Sequence, residues 1–364
     1  MEISKPTLMV DLKKVERNIN RMADKFREKN IAFRPHFKTH QSNFIGEYFK
    51  KAGVDKCTVS SLGMAEYFAA NGWQDICIAF PANVLEINRM NDLSKRVQLQ
   101  ILVDSVEKVQ LLAAGISANT NLFIEIDTGY FRSGILYDAV AEIEKIMHTI
   151  EAFPQFKFVG FLSHTGNTYT QQSPSEISTL FNESRQKLID LKKRFLPRFP
   201  NLILSMGDTP AASIVNDYSG IDEMRPGNFV FYDSMQYFLG SCTLNEIAVV
   251  VYCPVVAKYP ERNQLVIYGG GVHLSKEKLT RNGKAIYGLV SKPNSTGFGE
   301  LIPGSFVESL SQEHGIIYMP EAEMKQIQLG DLLAVYPVHS CMTVDLNKQM
   351  LSLEGLQIPK YRTY

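Results

Sequence analysis

The sequence predicts an α/β fold: an eight-stranded (β/α)8 barrel of the TIM type, followed by a β-rich domain. Short apolar runs alternate with segments of helical periodicity between residues 31 and 225, which favours a parallel sheet closed into a barrel. No GxGxxG turn follows any of these runs, although such a turn is typical of an open doubly wound sheet. After about Leu239 the alternation stops, and apolar runs are joined by turns instead.

The barrel elements follow from the spacing of apolar residues along the chain. Short, mostly apolar runs predict seven barrel strands at residues 31–33, 57–59, 76–79, 99–103, 122–126, 156–162 and 202–204, and an eighth short strand is expected near residues 223–225. Apolar residues recurring every three or four positions predict helices at residues 12–29, 44–52, 64–71, 84–93, 106–114, 137–152 and 176–194, with a short helix after Thr209-Pro210. Gly72 and Gly115 stand where two of these helices end, as helix-terminating glycines do.

The second domain is predicted from a change in rhythm. Strands are expected at residues 247–256, 264–268, 315–319 and 332–336, joined by turns at 260–263 and at Pro303-Gly304, without clear helices between them. A short first strand at residues 7–10 is expected to join this sheet. We therefore predict a barrel domain at 12–239 and a β-rich domain made of 1–11 and 240–364.

Composition excludes several classes of function. The 364 residues carry a formal net charge of zero, so there is no basic field to attract nucleic acid or an anionic membrane. No apolar run reaches the length of a membrane span, and the N-terminus lacks the apolar core of a signal peptide. The five cysteines are scattered and form no CxxC pair, which predicts a reducing cytoplasm.

The segment Arg34-Pro35-His36-Phe37-Lys38-Thr39-His40 follows the first barrel strand, at the end where α/β barrels place their chemistry. Positive neighbours and burial favour the neutral amine of a lysine, the form that attacks a carbonyl. Lys38 is therefore a candidate nucleophile. The alternative is a basic, solvated loop.

Four further strand ends carry polar residues. Arg132 follows the fifth strand, where a surface loop with a solvated arginine is the alternative. His164 and Tyr169 follow the sixth, where a structural histidine is the alternative to a catalytic one. After the seventh strand, a glycine, a hydroxyl and a proline that opens a helix form a candidate anion cradle: Gly207, Asp208, Thr209 and Pro210. A simple capped helix is the alternative there. The segment Arg225-Pro226-Gly227-Asn228, after the eighth strand, could complete the cradle.

Outside the barrel, His339 and Cys341 stand two positions apart. In an extended segment their side chains would project to the same side. Imidazole and thiolate are zinc ligands, although two ligands alone do not make a site and such a pair also arises by coincidence.

These motifs together resemble the D-threonine aldolase and D-serine dehydratase family, which has the alanine racemase-like fold of pyridoxal phosphate enzymes. The segment 34–40 is similar to the family's RPHxKTH signature, and residues 337–343 are similar to its PxHxCxT motif. The resemblance runs from Pro6-Thr7 to Asp345-Leu346 and so covers nearly the whole chain.

The resemblance implies a role for each candidate residue. Lys38 would carry the cofactor and abstract the α-proton of a D-amino acid, and Arg132 would bond the cofactor's phenolic oxygen. His164 and Tyr169 would lie beside the cofactor ring. The phosphate-binding turns would contain Gly207, Asp208, Thr209, Gly227 and Asn228. His339 and Cys341 would bind a divalent metal, zinc first, with manganese or magnesium as alternatives.

The resemblance also implies a homodimer and a lyase for D-3-hydroxy amino acids. The cysteine at position 341 favours dehydration of D-serine or D-threonine to a 2-oxo acid and ammonia over retro-aldol cleavage, the activity of D-threonine aldolase. A racemase is a third interpretation and needs a second base, for which Tyr268 is one available tyrosine. A fourth is a non-enzymatic protein of pyridoxal phosphate homeostasis, which the β-rich domain and the His339/Cys341 pair disfavour.

Overall fold

The computed structural model describes residues 2–295 and 297–361, and the chain divides into two compact units. One unit is Asn20–Gly227, and the other joins the residues up to Ile19 with those from Asn228 onward. The chain begins with strand β1 (Thr7–Val10) and helix α1 (Leu12–Glu28). No helix in the described part of the chain is long and apolar enough to cross a bilayer.

The Asn20–Gly227 unit is built on a parallel sheet, and its strands are β2 (Ala32–Phe33), β3 (Lys56–Val59), β4 (Asp75–Pro81), β5 (Gln98–Val103), β6 (Thr120–Asp127), β7 (Ile135–Leu136), β8 (Phe156–Ser163), β9 (Ile203–Met206) and β10 (Glu223–Met224). Eight of them form the order β2-β10-β9-β8-β6-β5-β4-β3, while β7 pairs with β6 alone. One parallel bridge, His36 to Thr58, links the outermost strands. The sheet is thus a nearly closed barrel, and the predicted fold class is confirmed.

Helices follow most of the barrel strands, and their bounds are α2 (Asn43–Lys51), α3 (Leu62–Ala70), α4 (Ile87–Ser94), α5 (Val106–Gly115), α6 (Val140–Glu151), α7 (Pro174–Phe195) and α8 (Thr209–Ile214). Serines start four of them, because each side chain accepts the backbone N–H three residues on: Ser42, Ser61, Ser105 and Ser173. The predicted helix at 137–152 begins later, since Ile135–Leu136 first pairs with β6.

The second unit contains α9 (Ser234–Phe238), β11 (Val249–Tyr259), β12 (Gln264–Tyr268), α10 (Gly271–Leu274), β13 (Leu279–Arg281), β14 (Lys284–Ile286), β15 (Gly288–Ser291), β16 (Leu301–Leu310), β17 (His314–Tyr318), α11 (Glu321–Met324), β18 (Leu332–Pro337), α12 (Ser340–Leu346), β19 (Met350–Ser352) and β20 (Gln357–Ile358). Its main sheet has the order β12-β17-β16-β15-β18-β11-β1-β19-β20. Strand β1 runs antiparallel to β11 and parallel to β19, so the first strand belongs to this sheet.

Two predictions for this unit were wrong. Pro303-Gly304 is not a turn between strands but lies within β16, where the register with β15 shifts. A bulge of this kind accommodates a proline, which has no N–H to donate, and Gly304 adopts a φ of 68° there. The unit also contains the short helices α10, α11 and α12, which the sequence pattern did not reveal because one or two turns carry too little periodicity.

Candidate functional site

Lys38 lies just beyond β2, at the C-terminal end of the barrel strands, and its side chain is half-buried. Backbone hydrogen bonds hold this segment on two sides. His36 N donates to Pro226 O after β10 at 2.9 Å, and Phe37 N donates to Thr58 O in β3 at 2.8 Å. The segment therefore closes the barrel and presents the amine at the same time.

Two histidines beside Lys38 are held neutral. Burial lowers the pKa of His36 well below its usual value, and the charges of Lys38 and Arg225 lower it further. Burial lowers the pKa of His164 to about 3, helped by the charges of Arg132 and Lys38. These five residues form what we call the strand-end cluster: His36, Lys38, Arg132, His164 and Arg225. Its permanent charges are cationic, which suits an anionic ligand.

The tautomer of His164 follows from its contact. Its Nδ1 lies 2.6 Å from the carbonyl oxygen of Gly207. A carbonyl oxygen can only accept, so Nδ1 carries the proton and Nε2 carries a lone pair. The neighbouring Tyr130 ring lies edge-on, with 5.9 Å between the ring centroids. His164 is therefore a fixed, neutral imidazole.

Arg225 is a buried cation that bonds neutral oxygens. Its Nε donates to Ser205 Oγ at 2.7 Å, and its Nη2 donates to Ser163 O at 2.7 Å and to Ser205 O at 3.2 Å. No carboxylate forms an ion pair with it among residues 2–295 and 297–361. Burial lowers its pKa, as expected for a desolvated cation.

A chain of hydrogen bonds leads from Arg225 into the barrel. Ser205 Oγ accepts from Arg225 and donates to Glu223 Oε1 at 2.7 Å. Glu223 Oε2 accepts from Arg34 Nε at 2.7 Å, and the Arg34 fork bonds both oxygens of Asp75. Burial alone would lower the pKa of Arg34, but Glu223 and Asp75 outweigh it and raise that pKa. Arg34 thus stays charged and anchors the strand that precedes Lys38.

Arg132 stands in the loop after β6 and is exposed, with its guanidinium 5.3 Å from the Tyr130 ring centroid. Asp127 shapes this loop, because its carboxylate accepts the backbone N–H groups of Gly129, Tyr130 and Phe131 at 2.7–2.8 Å. The loop is therefore rigid at its base while Arg132 is accessible to a ligand.

In the predicted anion cradle after β9, a side chain of the turn itself accepts a free backbone N–H of the helix. Asp208 caps α8, with its Oδ1 accepting from Ala211 N at 2.7 Å and its Oδ2 accepting from the hydroxyl of Thr165. Burial raises the pKa of Asp208 to about 6. Tyr169 lies here too, because its hydroxyl accepts from Thr209 N at 3.4 Å. The capped-helix alternative therefore describes Asp208.

The two cradle glycines allow close approach between strand ends. A Cβ on Gly207 would lie 2.7 Å from the backbone of Arg225, and one on Gly227 would lie 2.7 Å from His36 O. Backbone atoms cannot yield by that much. Both glycines therefore bring the ends of β2, β9 and β10 together.

His339 and Cys341 belong to the second unit, and Cys341 lies in a helix rather than in an extended segment. His339 is the residue before α12, and Cys341 lies in its first turn. The segment turns into a helix because Asp233 accepts the backbone N–H of Ser340 at 2.9 Å. His339 Nδ1 lies 3.6 Å from the same carboxylate oxygen, and Asn228 Nδ2 lies 3.8 Å from Cys341 Sγ.

The structure places the predicted residues in two groups. Lys38, His164, Tyr169 and the residues of the turn after β9 lie at the barrel strand ends, in the Asn20–Gly227 unit. Asn228 was predicted in the phosphate turn, yet its side chain bonds Asp233, Ser340 and Cys341. Sequence reasoning gave no role to Ser205, Glu223 or Asp233. A polar residue directly after an apolar run such as 229–232 was the available signal for Asp233.

An eight-stranded barrel that carries an accessible lysine among cations at its strand ends defines an α/β-barrel enzyme. Residues 10–235 match the alanine racemase N-terminal domain, and residues 248–353 match a putative serine dehydratase domain. The chain belongs to the family that combines these two domains, the D-threonine aldolase and D-serine dehydratase family. The resemblance read from its motifs is confirmed.

Similar proteins include dehydratases from two organisms. D-threo-3-hydroxyaspartate dehydratase of Delftia sp. (strain HT23) is 27% identical and covers 100% of this chain and 94% of its own. D-serine dehydratase of Dictyostelium discoideum is also 27% identical, over 94% of this chain and 91% of its own. A solved structure of a D-threo-3-hydroxyaspartate dehydratase, a cysteine-to-alanine mutant in the metal-free form, superposes with a TM-score of 0.91 at 26% identity, covering 100% of this chain and 98% of its own.

The residues present fit pyridoxal phosphate, the cofactor that this family implies. An accessible amine on Lys38 can hold an aldehyde, and the cations around it can hold a phosphate and a phenolate. The buried guanidinium of Arg225, bonded to neutral oxygens, is the observation that favours an anionic ligand.

The His339/Cys341 pair fits a divalent metal in its chemistry, since it offers an imidazole and a thiol beside a buried carboxylate. In the described ranges, no group of three histidine, cysteine, aspartate or glutamate side chains is arranged around one point.

Proposed function

We propose that this protein is a pyridoxal phosphate- and metal-dependent dehydratase that converts D-serine, D-threonine or another D-3-hydroxy amino acid into a 2-oxo acid and ammonia. The observation that carries the proposal is the strand-end cluster, with Lys38 half-buried among two arginines and two histidines held neutral. The names of the similar dehydratases support the substrate class.

Pyridoxal phosphate, when bound, supplies an electron sink for negative charge at the substrate's Cα. Lys38 Nζ would hold the cofactor and, when its amine is free, would take the α-proton of the substrate. His164 offers its Nε2 lone pair as a fixed acceptor beside the ring, because Nδ1 is committed to Gly207 O. Arg132, Tyr169, Thr209 and Gly227, with the backbone of Asn228, orient the cofactor's oxygens.

The elimination breaks the Cα–H bond and the Cβ–O bond. The proton goes to Lys38, and the hydroxyl group leaves as water after it takes up a proton. The released enamine becomes an imine, and water then hydrolyses it to the 2-oxo acid and ammonia. A metal ion on His339 and Cys341 would supply the Lewis acidity that a poor leaving group such as hydroxide needs. Zinc is the preferred metal, with manganese or magnesium as alternatives.

The setting of the enzyme is part of the proposal. The structure shows no disulfide among its described residues, and four of the five cysteines are buried, which supports a reducing cytoplasm. A homodimer is proposed from the resemblance to the family. Sedimentation velocity of the purified protein tests the dimer, because a species of 41.1 kDa would contradict it.

The proposal is tested by incubating the purified holoenzyme with D-serine, D-threonine and D-threo-3-hydroxyaspartate, with their L-enantiomers as controls. Formation of 2-oxo acid and aldehyde is followed separately, with and without a metal chelator. We expect 2-oxo acid and ammonia in equal amounts from a D-substrate, and loss of activity with the chelator. Aldehyde and glycine from D-threonine would instead identify an aldolase.

Two variants separate the roles of cofactor and metal. Lys38→Ala is expected to lose the visible absorbance of the lysine-bound cofactor together with all activity, because the amine that holds it is gone. His339→Ala is expected to keep that absorbance and lose elimination. Full activity in both His339→Ala and Cys341→Ala would show that the metal pair has no part in the reaction.

A further inference from the structure

One buried carboxylate faces the imidazole of His339 and bonds the backbone between His339 and Cys341. Asp233 has no exposed surface. Its Oδ2 lies 3.6 Å from His339 Nδ1, accepts from Ser340 N at 2.9 Å and accepts from Asn228 Nδ2 at 2.6 Å. The backbone between the two pair members is therefore held by the same oxygen that faces the imidazole.

Asn228 extends this contact to the sulfur. Its Nδ2 donates to Asp233 Oδ2 and to Ser340 Oγ at 3.0 Å, and it lies 3.8 Å from Cys341 Sγ. The side chain is buried. Since an amide nitrogen only donates, the amide orientation is set by the carboxylate, and the N–H side of the amide faces the sulfur.

We propose that Asp233 and Asn228 are the positioning residues of the metal site, an inference that rests on the metal pair of the proposed function. Asp233 faces Nδ1 of His339, which directs Nε2 toward the metal, and Asn228 orients the Cys341 sulfur. Carboxylates behind histidine ligands commonly fix ring orientation in this way, and their loss weakens metal binding by about 10–100-fold.

A purely structural role for Asp233 is the competing explanation. Its Oδ1 caps α9 by accepting from Gln236 N at 2.9 Å. Asparagine caps a helix about as well as aspartate does, so Asp233→Asn preserves the cap. It removes the charge that faces His339 and replaces the oxygen that accepts from Ser340 N and Asn228 Nδ2 with an amide group that cannot accept. Metal affinity separates the two roles, because a cap alone would not change it.

The experiment measures Zn²⁺ affinity of the holoenzyme by competition with a chromogenic chelator. Wild type, Asp233→Asn, Asn228→Ala and His339→Ala are compared after circular dichroism has shown them to be folded. We expect one site in the wild type, none in His339→Ala, and an affinity lowered at least about 10-fold in Asp233→Asn. Asn228→Ala is expected to lower it too, and serves alone if Asp233→Asn does not fold.

Substitution with Co²⁺ gives a spectroscopic readout, because the cobalt–thiolate charge-transfer band reports how Cys341 is held. We expect this band to change in Asn228→Ala. Glu246→Gln is the matched control, since Glu246 is also a capping carboxylate in this unit but bonds Thr243 instead. Its affinity should equal that of the wild type.

The outcomes are distinguishable. Affinities of Asp233→Asn and Asn228→Ala within about twofold of the wild type, with an unchanged cobalt band, would overturn this inference and leave the metal pair standing. A wild type without any site that His339→Ala removes would overturn the metal pair itself, and this inference with it.

Discussion

Ser205 and Ser163 are both buried serines at barrel strand ends, yet their hydroxyls differ in what they do. Ser205 Oγ accepts from Arg225 Nε and donates to Glu223, each at 2.7 Å. Ser163 Oγ has no hydrogen-bond partner in the described part of the chain, although its carbonyl accepts from Arg225. Comparing the two serines therefore separates the stability contributed by a hydrogen-bonded hydroxyl from that contributed by a merely buried one.

Ser205→Ala should destabilise the barrel by about 2–3 kcal/mol, because it leaves a buried guanidinium N–H and a buried carboxylate oxygen without partners. Ser163→Ala should change stability by no more than about 0.5 kcal/mol. Urea unfolding followed by the fluorescence of Trp73, the single tryptophan, measures both. Equal costs in the two variants would refute the linking role of Ser205.

At this scale the sequence predicts reactive residues better than supporting ones. Lys38 is predictable because a short motif places it at a strand end. The supporting residues are far apart in the chain and come together only when the barrel closes: Ser205, Glu223 and Asp75. Their spacing in the sequence therefore does not predict their contacts. Asp233 and Asn228 are similar, because the pair they support lies more than a hundred positions further along.

Strands β9 and β10 end so close together that only glycine fits between them at position 207. A Cβ there would lie 2.7 Å from backbone atoms of Arg225, whereas one on Gly46, within α2, would meet side-chain atoms at 3.2 Å or more. Arg225 sits directly after β10, so any separation of these strands moves its guanidinium.

Gly207→Ala is expected to cost about 1–3 kcal/mol of stability through overpacking, and to weaken cofactor binding as Arg225 moves. Gly46→Ala should cost less stability than Gly207→Ala, because the added methyl group meets only side-chain atoms of Asn43 and Trp73, which can shift, and because alanine favours a helix. Urea unfolding by circular dichroism and titration of apoprotein with pyridoxal phosphate check the two effects. Unchanged cofactor affinity in a destabilised Gly207→Ala would separate the turn from the cofactor.

Elements of the barrel were predictable because each strand and helix is long enough to show its own period, and the eight strands and most helices were confirmed within a few residues. Most strands of the second unit that were missed are short, such as β13, β14 and β19. β16 was missed although it spans ten residues, because Pro303-Gly304 suggests a turn. Its neighbours in the sheet, not its own sequence, keep that segment extended.

Several histidines of the barrel unit are neutral in the folded protein. Burial lowers the pKa of His40 and His164 to about 3, and that of His36 well below its usual value. A histidine whose pKa is lower in the folded state stabilises the fold above about pH 6.5 and ceases to do so as the pH falls toward 3. Asp208 has the opposite effect: because burial raises its pKa to about 6, its protonation favours the folded state as the pH falls from about 6 to 4.

Stability of the barrel should therefore fall as the pH decreases from 6.5, by about 1.4 kcal/mol per pH unit for each buried histidine, with Asp208 offsetting one of them below pH 6. Urea midpoints of Trp73 fluorescence at several pH values give the slope. In His40→Asn the asparagine can still accept from Ser42 N, but one titrating group is lost. The slope of stability against pH should therefore fall by about 1.4 kcal/mol per pH unit. A slope that is unchanged in this variant would contradict the neutral state of His40.

The barrel is closed between β2 and β3 by one bridge, from His36 to Thr58, with β2 contributing two residues to its ladder with β10. This seam is the least hydrogen-bonded junction of the sheet, and it is where Lys38 sits. A ligand that joins Lys38 to groups after β9 and β10 would hold the end of β2 against β10, and so would restrain the short segment that carries the bridge to β3. Cofactor binding should then slow amide hydrogen exchange at Phe37 and Thr58 more than in the middle of β6. The cofactor would thus stabilise the closure of the barrel in addition to its chemical role.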